Sequence, residues 1–166
     1  MELIRGIHNL RERHRGCVAT IGNYDGVHRG HQHMIAAVRA KATELGVPAV
    51  VVTFEPTPRE FFEGPSAPSR LTRLREKLEA LALYGVDRVV ALRFNRHMQG
   101  MGAVDFVERL LVSGLGVRVG GALKIFTAAD VDIDGNGGTF ASEASDVSVG
   151  GELRIERLLP QELARQ

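Results

Sequence analysis

The chain has 166 residues, 44% of them apolar and 25% charged, proportions typical of a single globular domain with a substantial buried core. A net charge of +1 provides no overall attraction to nucleic acid or anionic membranes, and no apolar run is long enough to span a bilayer. With no predicted signal peptide and a single cysteine, Cys17, we expect a cytoplasmic protein without a nucleic-acid or membrane partner, in an oligomeric state that the sequence leaves open.

Strand and helix patterns alternate through the first two thirds of the sequence. Short apolar, β-branched runs predict strands at 17–22, 49–54, 88–94 and 117–119. Apolar residues at helical spacing predict helices over 31–45, from the cap Thr72 to Gly85, and over 103–114. The proline-rich segment 55–70 is predicted to be a loop. This alternation predicts an α/β fold, a Rossmann-like parallel sheet with helices on both faces, whose ligands bind at the carboxyl ends of the strands.

From about residue 120 the alternation weakens, and glycine, serine and aspartate dominate. Short strands are possible in "VDID" and "LRIER", so we expect a small β-rich tail with a hairpin turn at 134–137, within one domain spanning 1–166. The segment "DVDIDG" (130–135) also matches the opening of a calcium-binding loop, but Ala141 stands at its twelfth position instead of glutamate. A solvated turn is the favoured interpretation, and calcium binding is the alternative.

The segment "GNYDGVHRGHQ" (22–32) lies where the first predicted strand gives way to its helix. Its glycines, Gly22, Gly26 and Gly30, let the backbone come close to a bulky ligand. His28 and His31 can face one pocket once the chain turns helical, and their N–H groups can stabilise negative charge. The start of the helix adds free amide groups suited to phosphate. The segment therefore predicts a site for a nucleoside triphosphate.

Other interpretations of the histidine pair are open at this point. The pair could form a metal site with His33 as a third ligand, although no cysteine or carboxylate cluster supports one, and no metal ligand is assigned. The two rings could also be solvent-facing helix residues. The glycines do not follow the dinucleotide-binding fingerprint and no Walker A lysine accompanies them, so neither common phosphate-binding loop explains the segment.

The same segment resembles the G-N-F-D-G-V-H-x-G-H segment of the bacterial FAD synthetases, members of the HxGH-type nucleotidyltransferase superfamily. Further stretches that resemble this family are "VVTFEPTPREFF" (51–62), "LTRLREKLEALALYGVDRVVALRF" (71–94) and "DFVERLLVSGLGVR" (105–118). The likeness covers residues 1–119 almost without a gap, and it is to the N-terminal adenylyltransferase domain of the family.

This resemblance implies FMN adenylyltransferase activity, in which ATP and FMN, with Mg²⁺, give FAD and pyrophosphate. It implies that His28 and His31 are catalytic residues that hold the ATP phosphates. The nucleotide-binding residues that it implies are Gly22, Asn23, Tyr24, Asp25, Gly26 and Gly30. It also implies an apolar bay for the flavin ring, formed by Phe54, Pro56, Pro58 and Phe62; plain core packing is the alternative for the two phenylalanines. We expect His28→Ala and His31→Ala to weaken ATP handling and leave folding nearly intact, because neither ring is predicted to lie in the core.

The C-terminal part of the chain departs from the family. Where the family has G-x-D-F-R-F-G, this sequence reads "GGALKIF" (120–126), which keeps a glycine and the basic Lys124. The family's S-S-T-x-x-R motif has no match, and "ELRIER" (152–157) offers Arg157 as the candidate catalytic arginine without its serine or threonine partners. No riboflavin kinase domain is expected. Two alternatives therefore stay open, a nucleotide- or flavin-binding module with little turnover, and a nucleotidyltransferase with another phosphate-ester acceptor.

Overall fold

The computed structural model describes residues 1–117 in full and the backbone of residues 123–127 and 153–157. The described strands form one six-stranded sheet, and they are β1 (Glu2–Arg5), β2 (Val18–Ile21), β3 (Ala49–Phe54), β4 (Arg88–Leu92), β5 (Leu123–Thr127) and β6 (Leu153–Arg157). The helices are α1 (Arg29–Leu45), α2 (Pro58–Glu63), α3 (Leu74–Leu83), α4 (Arg96–Gln99) and α5 (Ala103–Phe106). Helix α5 runs directly into a π-helical segment, Val107–Gly114.

The order of the strands, β1-β4-β3-β2-β5-β6, places β2 near the middle of the sheet. Every pair of neighbouring strands is parallel. From β2 the chain adds β3 and then β4 on one side, whereas β5 and β6 lie on the other side of β2. The strand order therefore reverses at β2, and in open parallel sheets ligands bind outside the carboxyl ends of the strands at such a point.

Apolar residues of the strands face helices on both sides of the sheet. On one face, side chains such as Ile21, Val52 and Leu92 pack against α5 and the π-helical segment. On the other face, Val18 packs against α1. Strands buried on both faces are typical of parallel sheets, which explains why "AVVVTF" is continuously apolar. The predicted Rossmann-like α/β fold, with helices on both faces, is confirmed.

The structure corrects the prediction that segment 55–70 is a loop. Helix α2 forms within it, because Thr57 caps the helix and shares a capping box with Glu60. Pro58 occupies the first turn, where its missing N–H costs nothing. The predicted capping role of Thr72 is also wrong: α3 starts one residue later, with Arg73 at the N-cap, and the Glu76 carboxylate accepts from its backbone N–H at 2.7 Å.

Both ends of the sheet also differ from the prediction. Strand β1 was not predicted, because its four residues, "ELIR", show only a short apolar pair within a basic stretch. The predicted strand at 117–119 begins at Val117, which is buried but lies outside any strand, and its remaining residues lie outside the described part of the chain. The strand that pairs with β2 on this side is β5. The alternating run at 153–157 does form a strand, and it pairs in parallel with β5.

Candidate active site at the carboxyl end of strand β2

The 22–28 loop, which joins β2 to α1, has an unusual backbone. Tyr24 and Val27 adopt positive φ angles of 51° and 38°, and Gly26 one of 69°. Non-glycine residues rarely take these angles, and a β-branched residue such as Val27 does so at a cost, a feature that concentrates at functional sites. Tyr24 anchors the loop, since its ring is fully buried and its hydroxyl lies 2.6 Å from Thr20 Oγ1. The loop is thus held in a strained but fixed shape above β2.

The two histidines of the predicted site lie together, as their spacing predicted. Their ring centroids are 3.7 Å apart and the rings are stacked, with an interplanar angle of 19°. His28 is the N-cap of α1, and its Nδ1 accepts a hydrogen bond from the His31 backbone N–H at 3.4 Å. A Cβ on Gly30 would lie 3.2 Å from the His28 ring, so a glycine at this position leaves room for the stacked arrangement.

The two rings differ in their exposure. His28 is exposed, whereas His31 is 6% exposed and packs against Tyr24 with ring centroids 4.8 Å apart. This corrects the basis for expecting both alanine variants to fold normally, because removing the His31 ring would leave a cavity next to Tyr24. Within the described residues, Nδ1 of His31 has no hydrogen-bond partner. A buried polar atom of this kind is available to a ligand.

The buried position of His31 fixes its charge. Burial, and then the neighbouring His28, lower the pKa of His31 to about 4, so it is neutral at neutral pH. A neutral imidazole has one N–H donor and one acceptor, and Nδ1 of His28 is already engaged as the acceptor of the His31 backbone N–H. The pair therefore offers hydrogen-bond donors rather than two full positive charges.

The carboxylate of Asp25 binds the chain ahead of α3. Its oxygens accept hydrogen bonds from the backbone N–H groups of Leu71 and Thr72, at 2.8 and 2.9 Å, and from Thr72 Oγ1 at 3.0 Å. Thr72 Oγ1 also accepts from the Gly26 N–H at 3.0 Å. Burial opposes ionisation of this carboxyl, but the bonds from Leu71 and Thr72 outweigh it and hold the pKa of Asp25 below its usual range. These partners of Asp25 are 46 and 47 residues away along the chain, so no local sequence pattern indicates them.

A second group of charges ties the start of α2 to the same part of the chain. Arg70 donates to Glu55 Oε1 at 2.6 Å and binds both carboxylate oxygens of Glu60 at 2.8 Å. Glu60 in turn accepts from the Thr57 N–H at 2.9 Å. A two-pronged guanidinium–carboxylate pair is strong and directional, so it fixes the position of the 55–63 segment. The sequence contains one indication of this helix start, the capping-box pattern of Thr57 followed by Glu60 three residues later.

Lys77, in the first turn of α3, is a charged residue in the interior that the sequence analysis missed. It is 1% exposed. Burial lowers its pKa, while the carboxylates of Glu55 and Asp25 act in the opposite direction. Its charge is therefore within electrostatic reach of both the 22–28 loop and the 55–63 segment. In the sequence it looked like an ordinary polar residue of an amphipathic helix.

The predicted flavin-contacting residues divide between the core and the surface. Phe54 is 0% exposed and packs edge-on against Phe94, with ring centroids 5.7 Å apart, so this structure gives it no free surface. Pro58 is buried and Pro56 half-buried. Phe62 is 38% exposed and also contacts Phe94, at a centroid distance of 5.7 Å. The flavin roles of these residues stay predictions, and Phe62 has the largest accessible surface of the two phenylalanines.

The sheet register places Arg157 at the same edge as the 22–28 loop. Ile21, the last residue of β2, pairs with Thr127, and Thr127 pairs with Arg157. Since neighbouring strands are about 4.8 Å apart, the Arg157 backbone lies about 10 Å from the end of β2. Lys124 pairs with Arg154 at the opposite end of β5. The register therefore favours Arg157 over Lys124 as the basic residue near the loop.

Other predicted features fall outside the site or outside the described residues. The "DVDIDG" segment, Ala141 and the turn at 134–137 lie outside the described part of the chain. Within residues 1–117, no group of three or more His, Cys, Asp or Glu side chains could hold a metal ion. No helix in that part of the chain is long and apolar enough to cross a membrane.

Comparisons with known proteins find a family and curated relatives that this chain resembles. A family model described as FAD synthetase matches residues 10–121. A "Bifunctional riboflavin kinase/FMN adenylyltransferase" of Pseudomonas fluorescens is 58% identical over 118 residues, and one of Escherichia coli (strain K12) is 49% identical over 119 residues. Each alignment covers 71% of this chain and 38% of the relative, so the chain spans well under half the length of these relatives.

A solved structure shares the fold at low sequence identity. A crystal structure titled "Macrolide-efflux Protein from Streptococcus pneumoniae" superposes with a TM-score of 0.69 and 19% identity, over 95% of this chain and 51% of that one. At this identity the likeness shows the fold alone. The family model matches residues 10–121, a range that includes the 22–28 loop. This match establishes that the chain belongs to the FAD synthetase family.

Proposed function

We propose that this chain is an FMN adenylyltransferase domain, which transfers AMP from ATP to FMN to give FAD and pyrophosphate. The observation that carries the proposal is the stacked His28–His31 pair at the start of α1, at the point where the strand order reverses. Membership of the FAD synthetase family supports the choice of substrates. The relatives that match this chain are named for the same activity.

In this reaction a phosphate oxygen of FMN attacks the α-phosphorus of ATP. The bond from the α-phosphorus to the bridging oxygen breaks as the new bond forms, and pyrophosphate leaves with that oxygen. No covalent intermediate on the protein is needed, so its work is to align the two substrates and to stabilise developing negative charge. His28 and His31 supply N–H donors to the phosphates, and the amide groups at the N-terminus of the 17-residue helix α1 add to them.

Mg²⁺ enters this proposal together with ATP. The described residues contain no protein cage for it, and Mg²⁺ in nucleotide sites is held mostly by phosphate oxygens and water. Asn23 Oδ1 and Glu55 Oε2 are buried oxygens without a hydrogen-bond partner in the described part of the chain, and oxygen is the ligand type that Mg²⁺ takes. When bound, the ion neutralises charge on the triphosphate.

The flavin would lie against the surface of the 55–63 segment. Phe62 offers an exposed aromatic ring. Pro56 offers a rigid pyrrolidine ring that is half-buried. Flat apolar groups of this kind suit the isoalloxazine ring and lose little conformational freedom on binding. Phe54 and Pro58 are buried, and Phe54 packs against Phe94, which Phe62 also contacts.

The proposal is tested by mixing the 166-residue chain with Mg²⁺, ATP and FMN and measuring both FAD and pyrophosphate. We expect both products in equal amounts, and a loss of about 10²-fold in kcat for His28→Ala, since removing one donor to developing charge typically has an effect of this size. His33→Ala, on the same helix, is the matched control and should keep the activity. Binding of both substrates in calorimetry without pyrophosphate release would instead indicate a binding module, and binding of ATP without FMN would indicate another acceptor.

A further inference from the structure

Residues 70–72, which we call the 70–72 segment, lie just ahead of α3 and contact both the 22–28 loop and the 55–63 segment of the proposed site. On one side, Leu71 and Thr72 hold Asp25 and Gly26 of the 22–28 loop through backbone and side-chain hydrogen bonds of 2.8–3.0 Å. The Leu71 side chain also covers Gly26, where a Cβ would come within 2.8 Å of Leu71 Cδ1. This side of the segment is fixed to the nucleotide-binding loop.

On its other side, the 70–72 segment is fixed to the flavin-binding surface. Arg70 binds Glu55 at 2.6 Å and both oxygens of Glu60 at 2.8 Å. Glu60 completes the capping box of α2 with Thr57, so Arg70 fixes the start of that helix through Glu60. These are hydrogen bonds between oppositely charged, partly buried groups, which are stronger than neutral ones.

The two sets of bonds are close together along the chain. Arg70 and Thr72 are two residues apart, a span of at most about 7 Å, so the segment cannot lengthen to let one loop move without the other. Neither Arg70 nor Thr72 is assigned to a substrate. Both carboxylate oxygens of Asp25 are used by Leu71 and Thr72, so Asp25 too acts through the segment.

We infer that Arg70 and Thr72 are positioning residues, and that the 70–72 segment sets the distance between the bound nucleotide and the bound flavin. The inference rests on the proposed function, because the two loops are assigned to ATP and FMN there. Adenylyl transfer needs the FMN phosphate in line with the α-phosphorus, and a displacement of about 1 Å can cost about 10²-fold in rate. Releasing either side of the segment should therefore slow the reaction more than it weakens the binding of either substrate.

The first test measures motion, which does not depend on turnover. Amide hydrogen exchange is followed by mass spectrometry in Arg70→Gln, which loses bonds only on the flavin side, and in Thr72→Val, an isosteric change on the nucleotide side. In each variant we expect exchange to be at least about threefold faster on the side of the segment opposite to the substitution. The affected residues are 22–28 in Arg70→Gln and 57–63 in Thr72→Val. Faster exchange only on the side of the substitution would overturn the inference.

Arg59→Gln is the matched control for these variants. Arg59 precedes Glu60 on helix α2 but forms its ion pair with Glu63, at 2.8 Å, and its side chain is largely exposed. It should leave exchange at 22–28 unchanged. Thermal melting checks that each variant is folded, and Arg70→Lys, which keeps the charge, should restore part of the protection if Arg70→Gln proves too unstable.

The second test measures kcat and the separate dissociation constants of ATP and FMN. We expect kcat to fall about tenfold or more in Arg70→Gln and in Thr72→Val, with each dissociation constant within about threefold of wild type. Because both residues act through one segment, the double variant should be no slower than the slower single variant, whereas independent roles would multiply. A multiplied loss of kcat contradicts the inference, and so does an unchanged kcat with a rate that falls only below saturating substrate. A wild-type chain that makes no FAD would overturn the proposed function instead, and the exchange pattern would still decide whether the segment couples the loops.

Discussion

His31 is neutral because the protein buries its ring beside Tyr24 and His28. Its pKa of about 4 lies below the value near 6.5 of an unfolded chain, so between these pH values the unfolded state binds the additional proton. As far as His31 is concerned, the free energy of unfolding should therefore have its highest value above pH 6.5 and should fall as the pH drops toward 4. The expected loss from this residue is on the order of 2–3 kcal/mol.

The pH dependence is checked by urea unfolding of wild type and His31→Gln at pH 7.5 and at pH 4.5. The variant lacks the titrating ring, so its stability should fall less between the two values than that of wild type. His33→Gln keeps His31 and should retain the wild-type difference. Equal pH dependence in wild type and His31→Gln would show that another group carries the effect.

Helix α3 carries the buried Lys77 toward two carboxylates, yet burial is the largest influence on its charge. A lysine whose pKa is lowered on folding contributes a cost while it is charged, and that cost is present at neutral pH and fades as the pH rises through the lowered pKa. We therefore predict that Lys77→Met, which is of similar length and uncharged, leaves the free energy of unfolding unchanged or raises it by up to about 1 kcal/mol at pH 7.

Denaturant unfolding at pH 7 checks this prediction, with Lys41→Met on α1 as a lysine nearer the surface. A loss above about 1 kcal/mol for Lys77→Met alone would mean that attraction to Glu55 and Asp25 outweighs the cost of burying the charge. It would also make α3 the element that holds these two carboxylates in place.

Helix α2 shows how an element can be hidden by its own composition. The prolines around it favoured a loop, but Pro58 stands in the first turn, the one place in a helix where proline is favourable. The signal for a helix was the pair Thr57 and Glu60, which form a capping box. The local sequence therefore did indicate helix α2, and the capping box is a better indicator here than the proline content.

For the whole molecule, the order of the strands decides which basic residues can serve the site. Arg157 is in register with the end of β2, whereas Arg154 is three residues nearer the amino end of β6. We predict that Arg157→Gln lowers kcat for FAD formation about 10²-fold, as loss of a donor to developing charge does, and that Arg154→Gln changes it less than threefold.

Steady-state kinetics of FAD formation with both variants check this prediction. Lys124→Gln is a further control, because Lys124 pairs with Arg154 and lies away from the carboxyl end of the sheet. If Arg154→Gln or Lys124→Gln is as slow as Arg157→Gln, the loss does not depend on position in the register. The proposed role of Arg157 as a donor to the developing charge would then be wrong.

Features that depend on neighbours along the chain could be predicted from the residues alone. The alternation of strands and helices follows from periods of two and 3.6 residues, and it predicted the sheet and the helices on its two faces. The stacking of His28 on His31 follows from their spacing at the start of a helix. The 22–28 loop was placed correctly because it joins β2 to α1.

Contacts between distant parts of the chain are visible only in the folded protein. Asp25 binds Leu71 and Thr72, which are more than 40 residues away, and His31 is buried only because the loop folds Tyr24 against it. The place of β6 beside β5 likewise comes from strand pairing, not from the run of residues within it. Local periodicity cannot specify such contacts, since the free energy that forms them comes from packing and hydrogen bonds made after the elements have come together.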